Sequence, residues 1–441
     1  MSLVMAMHRY RALNVAMVAI VMLVAYEYLA VATAMPRVGR ELHGMAIYGL
    51  AFSAALVGSV VATVACGRWA DLRGPAEPLW AGLGGFLAGQ LVTGTAPDMN
   101  VFVCGRFLQG LGGGLFYVAL YVVIDRAYPA ELHPRVFSLL AMAWVVPSLV
   151  GPSITGLIVE HVGWRWVFLG VPLLAAPAVF ILWRGLPPLP VVRVRVTGLG
   201  VKLGWAATVA VGTALMQYGS ASAPALVAIG VALLVVASPR LLPPGTLRAA
   251  RGVPAVIVLR GVVGGVFFAA EVFIPLMLTT IRGLTLTQAG LALTGGAVCW
   301  SAGSWIQARQ PYGNRVVLTT GVSMIAVAVT AVALAVFPSV PLGVAFAAWC
   351  LAGLGMGMVY PILSVLILEL SGPDEKGTNT AALTVGESVL TGVTVAVTGA
   401  LFAGFHGTQT IMLTCFALLV LVAAAGVWVA QRTATPASVQ P

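Results

Sequence analysis

Long apolar runs, each closed by Pro, Gly or a charged residue, repeat along the whole chain and predict membrane-spanning helices. They fall at 12–36, 46–66, 79–96, 100–124, 136–159, 165–183, 199–217, 223–239, 253–281, 286–308, 316–336, 340–369, 379–404 and 408–430. A run of about 20 residues at 1.5 Å per residue reaches across a hydrocarbon layer ~30 Å thick. The map therefore predicts an all-α polytopic membrane protein with about 14 transmembrane helices. An even count puts both termini on one side. No connection exceeds about 15 residues, so no soluble domain is expected.

The basic residues give the orientation. Sixteen Arg and Lys residues fall in alternate connections, among them Arg9, Arg68, Arg126, Arg184 and Arg248. The opposite side holds four, Arg37, Arg40, Arg165 and Arg282. Positive charge is retained on the cytoplasmic face, so both ends are expected in the cytoplasm. The same distribution accounts for the net charge of +10 without nucleic acid as a partner. Lys202 opens the seventh run and Pro224 the eighth, so twelve spans plus a re-entrant or surface hairpin is the alternative count.

Composition agrees. The chain is 60% hydrophobic and 8% charged, against about 25% charged in soluble proteins. The first apolar run is longer than a signal-peptide core and lacks a small-residue cleavage site, so it is expected to be retained. The two lysines, Lys202 and Lys376, lie outside any G-x-x-x-x-G-K-[ST] context, so the chain does not drive its work by its own ATP hydrolysis. No C-x-x-C pair occurs, and no hydrolase, nuclease or metal constellation is visible; an enzyme is not expected. An Arg-over-Lys bias with Ala, Gly and Val richness fits a GC-rich bacterial genome, hence a cell (inner) membrane.

Acids inside apolar runs are the candidate chemistry. Glu27 stands mid-way along the first, where a charge costs about 2.5–3.5 kcal/mol on insertion scales. A carboxyl that takes up and releases a proton there is the working part of a proton-driven machine. Glu271 lies in the ninth run among Phe267, Phe268 and Phe273, a setting for proton binding or for a cationic ligand. Glu387 lies in the thirteenth. Arg106 needs a partner in lipid, and Gln109 is within one helical turn of it. Gly110, Gly113 and Gly114 then offer a small-residue face for helix approach. Tyr26, Tyr117, Trp144, Phe268, Trp300 and Tyr360, with Gln109, are candidates to line a substrate cavity.

If the seventh and eighth runs are an insertion, the ninth is the counterpart of the first. That gives an N-terminal six-helix bundle at 1–185, two added helices with linkers at 186–250, and a C-terminal six-helix bundle at 251–441. Duplicated bundles with a binding site at their interface are a common transporter plan.

Three strings occur in order: GRWADLRG at 67–74, RFLQG at 106–110 and GPSITG at 151–156. They resemble the G-x-L-A-D-R-x-G loop, the R-x-x-Q-G element and the antiporter-associated kink of the major facilitator superfamily. EYLAVATAMP at 27–36 resembles an element of the fourteen-helix drug:proton antiporter branch, with Glu27 on its acidic position. GWRWVFLGVP at 163–172 and GTNTAALTVGES at 377–388 are similar to that branch as well. The resemblance implies two bundles around a cavity opening to alternate sides, and proton-coupled export of amphipathic or cationic organic compounds such as drugs.

It assigns proton coupling to Glu27 and Arg106, with Glu271 and Glu387 added from their positions. Gly67, Asp71, Arg73, Gly74, Gly151, Pro152 and Gly156 are the implied gating residues. The energy source is the proton gradient, with no cofactor; the partners are the small-molecule substrate and the lipid bilayer, and a monomer is expected. The gating loop departs from the family pattern at Leu72, Pro75, Ala76 and Glu77. Export of an endogenous lipid, siderophore or metabolite fits the same residues. Uptake symport and a transport-inactive receptor or assembly partner are further alternatives.

Overall fold

The computed structural model describes residues 10–187, 199–219, 223–309, 312–372, 376–404 and 408–433. These include fifteen α-helices, and no strand occurs among them. In chain order they are α1 (Arg11–Glu41), α2 (Leu50–Arg73), α3 (Ala76–Gly94), α4 (Met99–Ala127), α5 (His133–Met142), α6 (Val145–His161), α7 (Arg165–Gly185) and α8 (Leu199–Gly219). There follow α9 (Pro224–Leu241), α10 (Val253–Thr280), α11 (Leu286–Gln307), α12 (Asn314–Leu334), α13 (Leu342–Glu369), α14 (Lys376–Gly404) and α15 (Thr408–Ala430). Among the described residues, nine helices are long and apolar enough to cross a membrane.

Each of the fourteen apolar runs finds its helix, and the fifth finds two. The sequence predicts the fifth run as one helix kinked at Pro152, and α6 does contain Pro152, but the run is divided into two helices. The division falls between Met142 and Val145, ahead of Pro147. Pro147 has no amide hydrogen to donate to the carbonyl of Ala143, which removes the bond that would join the two segments. A second difference concerns GRWADLRG. The segment is the last two turns of α2 rather than a loop, because nothing between Gly67 and Arg73 stops the helix. Gly74 stops it, with φ of 84° and its amide bonded to the carbonyl of Ala70 at 2.9 Å. That left-handed conformation favours glycine over any residue with a Cβ.

The chain divides into two compact units, Met1–Gly44 with Ala54–Gly204, and Met45–Ser53 with Trp205–Pro441. In the first, Leu13, Met17, Ile20, Val21 and Val24 form a helical stripe on α1. It is part of a core with Leu83 and Phe86 of α3, Phe116 and Leu120 of α4, and Val171 and Leu182 of α7. Gly110 and Gly114 of α4 meet the α2 backbone at Ala55 and Ser59, while Gly105 and Gly112 meet α3 at Thr93 and Phe86. Gly113 takes no part in these approaches, its nearest neighbour being the Phe86 ring at 4.0 Å.

In the second unit α10 is buried along most of its length. Helices α8 and α9 pack against α14 through Val209, Met216, Leu234, Ala237, Val389 and Ala396. Gly212 and Gly230 let α8 and α9 approach backbone to backbone: a Cβ on Gly230 would lie 2.6 Å from the Gly212 carbonyl oxygen.

Candidate functional site

Asp98 starts α4. Its carboxylate accepts from the amides of Asn100 and Val101 at 2.8 and 3.0 Å, satisfying two of the helix's open donors. Arg106 therefore stands eight residues, or about 12 Å, inside α4. Glu27 stands mid-way along α1, and each of the two residues is only 4% exposed. Arg106 donates to the Glu27 carboxylate and, at 2.5 Å, to Oε1 of Gln109. Burial behind protein rather than lipid lets two opposite charges neutralise one another in a medium that solvates neither. The Gln109 side-chain amide nitrogen, also buried, has no hydrogen-bond partner among the described residues.

Aromatic and hydroxyl groups surround this pair. Thr155 of α6 donates to the Tyr26 hydroxyl at 3.3 Å, and Gly151 lies one turn away, where an added Cβ would be 3.6 Å from the Tyr26 ring. Pro152 and Gly156 are buried on the same helix. Trp144, at the break between α5 and α6, stacks on Tyr117 at 6.5 Å and meets Tyr28 edge-on at 6.0 Å. Six of the expected residues, Tyr26, Glu27, Arg106, Gln109, Tyr117 and Trp144, thus belong to the first unit.

The second unit holds another ion pair. Arg260 of α10 donates through Nε to Glu387 of α14 at 2.8 Å. Its Nη1 donates to the Tyr360 carbonyl at 3.0 Å and to the Ser364 hydroxyl at 2.9 Å, both on α13. The Tyr360 hydroxyl donates to the other Glu387 oxygen at 2.7 Å, and the guanidinium carbon lies 3.8 Å from the Tyr360 ring centroid. Gly264 makes room: a Cβ there would lie 2.7 Å from the Tyr360 hydroxyl and 3.0 Å from Thr391 Oγ1.

Sequence reasoning missed Arg260. The signal was available, since an arginine inside an apolar run is the argument that singles out Arg106.

Glu271 is half-buried on α10 and has no hydrogen-bond or ion-pair partner among the described residues. Phe268 lies 6.4 Å from Trp300, and Trp300 lies 5.2 Å from Tyr360. The other expected residues of this unit therefore form a row of rings leading to Glu387.

Of the expected gate, Gly151 borders Tyr26 beside the Glu27–Arg106 pair, whereas Gly67, Asp71 and Arg73 fall in the last turns of α2. The side chains of Gly67 and Asp71 fall outside the described residues, as does that of Lys202. Arg73 is exposed and reaches Glu77 at 3.4 Å, and the Trp69 indole donates to Glu77 at 3.0 Å. That indole hydrogen bond, with help from Arg73, holds the Glu77 carboxyl below its usual range.

An uncharacterised MFS-type transporter of Mycobacterium tuberculosis (strain H37Rv) is 26% identical over 401 residues, covering 85% of this chain. The chain spans 57% of that relative's length. A protein of the same strain named as a probable multidrug-efflux transporter is 28% identical over 412 residues, 86% of this chain and 83% of its own. The crystal structure of a D-xylose-proton symporter superposes with a TM-score of 0.66 at 15% identity, over 93% of this chain and 96% of that one. At that identity the likeness speaks for the fold alone. Residues 16–394 match the Major Facilitator Superfamily, the family to which this chain belongs.

Proposed function

We propose that the protein is a proton-coupled secondary exporter of amphipathic or cationic organic compounds, working by alternating access. The observation that carries this reading is the buried Glu27–Arg106 pair, with Gln109 as the guanidinium's second acceptor. Protonation removes the carboxylate's charge, and the Glu27 carbonyl oxygen that remains is a weaker acceptor for Arg106. A change of one proton thereby alters how strongly the Arg106 guanidinium is held to α1. Such a change, made only when the proton is bound, is what a proton gradient needs to drive a conformational equilibrium.

The family membership supports transport, and the name of the efflux relative supports the export direction. In this reading α8 and α9 are an insertion, dividing the chain into bundles at 1–185 and 251–441. The protein works as a monomer in the inner membrane with both termini cytoplasmic, and it draws on the proton gradient with no cofactor.

Reconstitution into vesicles with an imposed pH gradient tests the proposal. Substrate moving against the proton flux, lost in Glu27→Gln, is the expected result. Movement in the same direction as protons identifies uptake, and the absence of any flux identifies a receptor; either overturns the reading.

A further inference from the structure

Arg260, Gly264, Phe268 and Glu271 are spaced i, i+4, i+8 and i+11, so they share one face of α10. The stripe extends about 16 Å along the helix axis. Between Arg260 and Leu278 the positions of α10 that are not buried are Arg260, Val262, Phe268 and Glu271. Val262 turns toward Gly426 of α15, while Gly264 faces Tyr360 and Glu387. The accessible side of this otherwise enclosed helix is therefore the stripe itself, with Glu271 at one end and the Arg260–Glu387 pair at the other.

The carboxyl groups of Glu387 and Glu271 are in opposite states. Glu387 has a guanidinium on one oxygen and a phenol hydroxyl on the other. Glu271 has no partner among the described residues, and Arg260 is already committed through Nε and Nη1 to Glu387, Tyr360 and Ser364. Next to Glu271 on the stripe is Phe268, whose ring lies 6.4 Å from Trp300. Trp300 is held edge-on to Phe267 at 5.3 Å, and Phe267 is stacked on Trp349 at 4.4 Å. A carboxyl without a counter-charge beside ordered ring faces is a setting that attracts a cation, through charge on one side and ring quadrupoles on the other.

We propose that Glu271, Phe268 and Trp300 form a recognition subsite for an organic monocation, distinct from the Glu27–Arg106 pair. The inference rests on the reading that cationic compounds are among the cargo. One uncompensated carboxyl sets the preferred charge at one. An anion is disfavoured by the carboxyl itself, and the guanidinium at the far end of the stripe is already bound on two of its nitrogens. A purely structural role for Glu271 would need a hydrogen-bond partner, and none stands within reach among the described residues.

Equilibrium binding of tetraphenylphosphonium, a permanent cation with no exchangeable proton, to the purified full-length protein tests this. Saturable binding is expected in the wild type, weakened at least tenfold in Glu271→Gln and several-fold in Phe268→Ala, and largely recovered in Glu271→Asp. Uncharged triphenylphosphine oxide should bind wild type and Glu271→Gln alike, with elution profile and melting temperature showing that the variant is folded. Phosphonium affinity in Glu271→Gln within twofold of wild type overturns the proposal, as does the lack of saturable binding in the wild type or equal loss of both probes. Failure of the export reading looks different: proton counterflow is absent from vesicles while phosphonium binding still depends on Glu271.

Discussion

Arg260 and Glu387 meet at 2.8 Å across α10 and α14, with Tyr360 donating to the second carboxylate oxygen at 2.7 Å. The pair is partly accessible, its side chains 16% and 21% exposed. Removing the guanidinium in Arg260→Ala leaves Glu387 with only the phenol, at an expected loss of about 1–3 kcal/mol. A double-mutant cycle with Glu387→Gln, read by thermal unfolding in detergent, should return a coupling of roughly 1 kcal/mol or more. Additive effects would show that the two side chains contribute independently.

The first unit's pair is more deeply enclosed, so its disruption should weigh more. Arg106→Ala strands Glu27 in the protein interior and should destabilise by about 3–5 kcal/mol. Adding Glu27→Gln removes the stranded charge and should recover a good part of that loss. Melting curves of the wild type, the single and the double variant decide it; a double variant no better than Arg106→Ala counts against burial as the cause.

Gly264 is predicted to admit no side chain while Tyr360 keeps its hydroxyl. In Gly264→Ala the new methyl would lie 2.7 Å from that oxygen, pushing the ring off Glu387. Overpacking of this kind costs about 1–3 kcal/mol. Tyr360→Phe removes the obstructing atom, so the combination Gly264→Ala/Tyr360→Phe should be more stable than the Tyr360 and Gly264 losses added together. Unfolding midpoints of the four proteins test this.

At the end of α2, the Trp69–Glu77 contact should persist from neutral pH down to about 5. The carboxyl is held below its usual value of 4.5, so whatever the contact contributes is present above that value and lost as pH falls below it. The fluorescence difference between wild type and Trp69→Phe should be flat across the upper range and change only at more acid pH. In Glu77→Gln the acid-range change should vanish.

The helices were legible from apolar run length alone, because a lipid-spanning segment must satisfy its backbone internally and so declares itself by hydropathy. Glu27 and Arg106 were legible as residues out of place in such runs, and Gln109 as a neighbour one turn away. Their joining was not legible, since 79 positions separate Glu27 from Arg106 and only the tertiary fold of the first unit brings the two side chains together. Arg260 carried the same signal as Arg106 and was passed over. The break at Ala143 and Trp144 was not legible, because the apolar run continues across it and two prolines, Pro147 and Pro152, follow it. Which proline interrupts a helix depends on neighbours that can re-satisfy the freed carbonyl, and hydropathy does not report them.

Helix α14 is two-sided. Glu387, Thr391 and Thr394 recur at helical spacing on the flank that meets α10. Val389 and Ala396, with Val385, Val393 and Val397 beside them, lie on the flank braced by α8 and α9. The α8–α9 pair, which the proposed reading treats as an insertion, is therefore also the back wall of the helix carrying an acidic side chain. Excising it would open a strip of valine to lipid and slacken the scaffold that aims Glu387 at its arginine, so the extra hairpin and the charge pair are bound to a shared fate.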